Sequence, residues 1–126
     1  MIMAIKSAEK VALQIIRQEG YDAYVTPPRD VAEPYFRINR VGGIIANPVT
    51  DAAMLAIAAY AADPAVAADM ANRVREVLIA ARATMVGDAW VRWWKEAAGP
   101  ANFPDPTSKL TRYQFSGQLF IATNLD

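Results

Sequence analysis

The dipeptide Asp63-Pro64 divides the middle of the chain and constrains the fold more than any other feature. Proline lacks the donor for a helical hydrogen bond, and its ring collides with the preceding turn, so no helix runs through it from the N-terminal side. At the first helical position it fits well, and an aspartate just before it can cap the free amides. A helix therefore begins at Pro64, and the alanine-rich run before it, Asp51 to Ala62, must break there. Alanine content favours helix in that run by propensity. The residues Met54-Leu55-Ala56-Ile57-Ala58-Ala59-Tyr60 equally suit a strand buried on both faces, and the stretch is read as a strand.

The remaining elements follow from periodicity. Ala8, Val11, Ala12, Ile15 and Ile16 recur at helical spacing, with Ser7 to cap and Gly20 to end a first helix over Ser7 to Glu19. Tyr21 to Val25 is a short β-prone run stopped by Pro27-Pro28. Pro34 to Val41 alternates, with Phe36 and Ile38 on one face and Arg37 and Asn39 on the other. Turns are expected at Gly42-Gly43 and Asn47-Pro48. The second helix is expected from Pro64 to about Thr84, on a stripe of Ala67, Met70, Ala71, Val74, Val77, Leu78 and Ala81, with Asp69 and Arg73 paired and Gly87 ending it. Asp88 to Glu96 carries Trp90, Trp93 and Trp94 and reads as a strand, Trp93 facing opposite to the other two. Ala97 to Leu110 is rich in proline and reads as a loop, and Arg112 to Ile121 alternates cleanly as a last strand.

This order, α-β-β-β-α-β-β over a single domain spanning residues 1–126, predicts an α+β two-layer sandwich. Its sheet is expected to be mainly antiparallel, with both helices packed on one face. The chain is 54% apolar and 21% charged, with 13 basic and 13 acidic side chains, which suits a globular protein and argues against a grip on nucleic acid through net positive charge. Trp90, Trp94, Tyr60 and parts of Met54–Tyr60 exceed what two helices can cover. Surplus apolar sheet surface is expected to form a subunit interface.

The chain has no Cys and no His, which excludes thiolate sites, disulfides and every Ser-His or Cys-His pair. Ser7-Ala8-Glu9-Lys10 fits S-x-x-K, but the partner motifs of penicillin-binding enzymes are missing, and the serine reads as a helix cap. Asp30 with Glu33, and Asp63 with Asp69, lack ligand-like spacing. No catalytic, metal or cofactor site is expected. The charged residues of the first twenty positions leave no signal-peptide core, and the longest apolar run, Ala52 to Ala62, is too short to span a bilayer, so a cytoplasmic setting is expected. The long loop from Gly99 to Pro106, with Phe103 as its one aromatic, suits contact with a partner.

Three features together carry a resemblance. They are an A-x-A-x-x-M-A-x-x-V-R-x-x-L helix from Ala65 to Leu78, a G-P-x-x-x-P-D-P loop from Gly99 to Pro106, and an R-Y-x-F-x-x-x-L-x-I strand from Arg112 to Ile121. Their order resembles the tail terminator (tail-to-head joining) proteins of long-tailed, non-contractile bacteriophages, particularly those of actinobacteria. The resemblance implies a virion structural protein at the tail-head junction, assembled in the host cytoplasm. It implies a hexameric ring that caps the tail tube, stops its polymerisation and docks to the head connector, while DNA passes through the lumen without specific binding. Assembly contacts are expected at Trp93, Trp94, Phe103, Asp105 and Arg112. The alternatives are another neck protein, a stopper or adaptor, or a small enzyme or ligand-binding domain with a carboxylate-only site.

Overall fold

The computed structural model describes residues 3–125. In chain order its elements are β1 (Met3–Ala4), α1 (Ala8–Gln18), β2 (Ala23–Tyr24), β3 (Tyr35–Asn47), β4 (Thr50–Ala61), α2 (Pro64–Ala80), β5 (Thr84–Val86), β6 (Ala89–Asn102), β7 (Thr111–Ala122) and β8 (Asn124–Leu125). The fold is α+β, with two helices and a mixed six-stranded sheet in the order β2-β3-β4-β7-β6-β5. Strand β2 runs parallel to β3, and every other neighbour in that sheet is antiparallel. Strands β1 and β8 pair separately.

Both helices start where their caps demand. The Ser7 hydroxyl accepts from the Lys10 amide at 3.3 Å, and the Asp63 carboxylate accepts from Ala65 at 2.9 Å. The apolar stripes are buried as their spacing requires, and their side chains merge with Phe36, Ile38, Leu55, Ile57, Phe115, Leu119 and Ile121 in one core. The alanine-rich run is strand β4, paired along its whole length with β7. A central strand of small side chains lets α2 lie close over it.

Several boundaries differ from the sequence expectation. Gly42-Gly43 is not a turn: β3 runs on to Asn47, and the glycines sit at a bulge between Arg40 and Gly42. Gly43 has φ +91, and a Cβ there would overlap the Ala52 carbonyl, so only glycine lets the two strands stay paired. The hairpin instead turns at Asn47-Pro48, where the Asn47 side chain accepts from the Val49 amide. Helix α2 stops at Ala80 rather than near Thr84, because residues from Thr84 form the unforeseen strand β5. Gly87, at φ +59, turns the β5–β6 hairpin instead of ending a helix. Arg73 pairs with Glu76 and with Glu19, the residue that caps the end of α1, not with Asp69.

The expected loop from Ala97 to Leu110 is a loop only from residue 103 onward, since β6 continues to Asn102. Gly99 and Pro100 are accommodated where the register with β7 shifts between Ala98 and Ala101. A bulge has no use for the donor that proline lacks. A second shift, between Val91 and Trp93, changes the tryptophan pattern. The extra residue, Arg92, leaves Trp90 and Trp93 both exposed while Trp94 enters the core, so Trp93 does not oppose Trp90.

Candidate assembly interface

Residues facing each other across paired strands share a sheet face, so the register defines rows on the face opposite the main core. At one end, Tyr35 of β3, Tyr60 of β4 and Arg112 of β7 form a row. The two tyrosine rings stack at 4.8 Å with planes 7° apart, and with Ala58 they make a second small core. Tyr24, Val31 and Leu110 pack over it. The chain's own loops thus cover Tyr60, which was expected at a subunit contact.

The middle of that face is polar and small, with Asn39, Ala56, Ser116 and Ala98 in register. The far end is apolar. Ile44, Ala52, Phe120 and Trp93 line up across β3, β4, β7 and β6. Trp93 packs on Phe120 at 5.1 Å between ring centres, and Trp90 pairs with Met85 just beyond. Ile44 is 70% exposed, Met85 58%, Trp93 40% and Trp90 39%. Exposed apolar side chains grouped this way, rather than scattered singly, mark a contact surface.

The singled-out residues fall into separate places. Phe103, Asp105 and Arg112 lie together at the tyrosine end. The Arg112 guanidinium sits 5.9 Å above the Phe103 ring, and the Phe103 amide donates to the Arg112 carbonyl at 2.7 Å. Asp105 is turned into its own loop, accepting from the Ser108 hydroxyl at 2.8 Å and the Thr107 amide at 3.0 Å. These donors, the Ser108 hydroxyl first, hold its carboxyl below the usual aspartate range. Trp93 lies eight residues further along the sheet, about 27 Å away at the usual strand rise. Trp94 is inside the core, edge-on to Phe115 at 6.1 Å, with its indole N–H unpartnered. Sequence reasoning missed Ile44 and Met85, because it ended β3 at the glycines and did not foresee β5.

An open groove of about 500 Å³ lies between the Pro27–Arg37 segment and the Asp105–Leu110 loop, and it holds Glu33 and Asp105. Among the described residues no group of three or more Asp and Glu side chains could hold a metal ion. No helix among them is long and apolar enough to cross a membrane. One buried ion pair shapes the β3–β4 hairpin: Arg40 grips Asp51 through both carboxylate oxygens, at 2.7 and 2.9 Å, and Asp51 is 1% exposed. The Asp51 hydrogen bond raises the Arg40 pKa further above its usual value. With that guanidinium drawn inward, the adjoining surface of β3 is left to Val41, Ile44 and Ile45. No family model matches the chain, and no curated protein is significantly similar to it.

Proposed function

We propose that this chain is a phage tail terminator, a structural subunit that forms a hexameric ring, caps the tail tube, halts its growth and docks to the head connector. The apolar row from Ile44 to Trp93 carries the reading. Its ends, Ile44 and Trp93, with Met85 and Trp90 just beyond, are left exposed by the subunit's own helices and loops, and sister copies would cover them. The order of the helix, loop and strand motifs, which resembles that of tail terminators, supports the choice of assembly. In this reading the subunit is a two-layer sandwich of a largely antiparallel sheet with both helices over one face, which frees the other face for contacts. The Phe103–Arg112 end, with its loop held by Asp105, then meets the tube or the connector. DNA passes the lumen without being held, as suits a chain of zero formal net charge. Neither catalysis nor a cofactor is part of the proposal.

Electron microscopy of the protein alone and mixed with tail tubes tests it. Rings and capped tube ends are expected. Tubes that continue to elongate in excess protein would refute it. Phe103→Ala and Arg112→Ala should each reduce capping, and unchanged capping by both would remove the loop from the contact.

A further inference from the structure

Strand β3 is open along one side beyond Arg40. β2 covers Phe36 and Arg37, the Glu9 carboxylate accepts from the Arg40 amide at 2.9 Å, and from Val41 to Asn47 no other strand among the described residues lies beyond it. Edge strands are ordinarily guarded by charges, prolines or strong bulges, because unpaired amides and carbonyls invite another strand. From Val41 to Asn47 the guard that remains is the pair of register shifts, between Arg40 and Gly42 and between Ile45 and Asn47; there is no ionic side chain, and the preceding Arg40 is turned onto Asp51. Val41, Ile44 and Ile45 stand exposed in its place.

The opposite edge of the sheet is open too, since β5 covers only Ala89 to Val91 of β6. That edge is guarded, however. Lys95 is exposed, Glu96 is held by Arg75, and the ladder shifts between Glu96 and Ala98 and again across Gly99-Pro100. Beyond β5 the part of β6 free of register shifts is Trp93 to Glu96; its charges and the shifts that follow make two β6 edges join poorly, while the β3 stretch without charges of its own sets none against them.

The two edges match each other in direction and in side chains. Successive antiparallel pairings from β3 through β4 and β7 to β6 leave β3 and β6 running in opposite senses. A second copy set alongside thus presents β6 antiparallel to β3, the more stable ladder. The apolar row begins at Ile44 on one edge and ends at Trp93 on the other, exposed at both. Side-by-side copies join those ends.

We propose that the Val41–Asn47 edge of β3 in one copy pairs antiparallel with the Trp93–Glu96 edge of β6 in a second copy. The contact is head-to-tail, so it closes only by rotation. It is the lateral contact of the ring proposed above and rests on that reading.

The absence of cysteine makes the test clean. Val41→Cys and Lys95→Cys, combined in one chain and treated at high protein concentration with a short bis-maleimide, should give a ladder of covalent oligomers. Each single variant should remain one chain. Dimers from Val41→Cys alone would mean that β3 pairs with β3 and would overturn the proposal, as would a double variant that gives no products. Ile44→Lys, a charge placed on an exposed position, should abolish the ladder without changing the circular dichroism; a ladder that survives it overturns the pairing. Protein that caps tail tubes but yields no ladder refutes the edge contact alone. A ladder from protein that never caps tubes keeps the contact and refutes the tail reading.

Discussion

Gly117 and Trp94 form a coupled pair whose energetics can be worked from the structure. The Trp94 ring lies over Gly117 on the core side of the sheet, where a Cβ would overlap ring atom Cζ2 and come within 2.7 Å of both Cη2 and the Lys95 carbonyl oxygen. Gly117→Ala must therefore push the indole out of its slot, an overpacking cost of about 1–3 kcal/mol. Trp94→Ala removes a side chain that is 6% exposed and leaves a cavity, at about 3–5 kcal/mol. Independent sites would make the double variant lose the sum. Here the alanine at 94 also removes the ring that the alanine at 117 strikes, so only the approach to the Lys95 carbonyl persists. The double variant should be more stable than the sum of the singles implies by at least about 1 kcal/mol, a coupling typical of residues in contact. Urea unfolding followed by far-ultraviolet circular dichroism measures all four corners of the cycle. Additivity within about 0.5 kcal/mol would refute the steric account of why Trp94, rather than Trp93, is the buried ring.

Other expectations are as direct. Asp51→Ala should destabilise the protein by about 2 kcal/mol, toward the low end for a broken buried pair because Arg40 can turn to water, and Asp51→Asn should cost less; urea midpoints check both. The Asp105 carboxyl is held below the ordinary aspartate range by its loop donors, so the stability it lends is fully present above the unfolded-state value and is lost as pH falls through the folded-state value. A carbon-13 carboxyl titration should place its midpoint below that of an unstructured aspartate, and the Thr107 amide should exchange faster once it is protonated. Ser7→Ala should cost about 1 kcal/mol by uncapping α1, read as a lower urea midpoint.

Local chemistry and side-chain period account for the part of the fold that is legible in the residues alone. Both helix starts follow from an oxygen-bearing cap before an apolar stripe, and the alternation of β3 and β7 follows from the pleat. The β4 strand is legible because Asp63-Pro64 forbids the competing helix from continuing. At the candidate interface, Trp93 and Phe103 stand out in the sequence as aromatics available for contact, but their partners do not: Phe120 and Arg112 meet them only through the β6–β7 register.

Caps, prolines and periodicity act over a few residues, so the division of this chain into two helices and its longer strands is written in the amino-acid order. Where the strands bulge, and therefore which side chains reach which face, is settled only when distant segments pack together. Gly42-Gly43 is a turn by local preference and a bulge once β4 lies alongside. Gly99-Pro100 breaks a strand by local preference and is absorbed once β7 carries the ladder past it. Trp93 and Trp94 are adjacent and chemically identical, and only the extra residue Arg92 and the slot above Gly117 send one outward and the other into the core. A bulge depends on strands distant in sequence, so no local pattern can announce it.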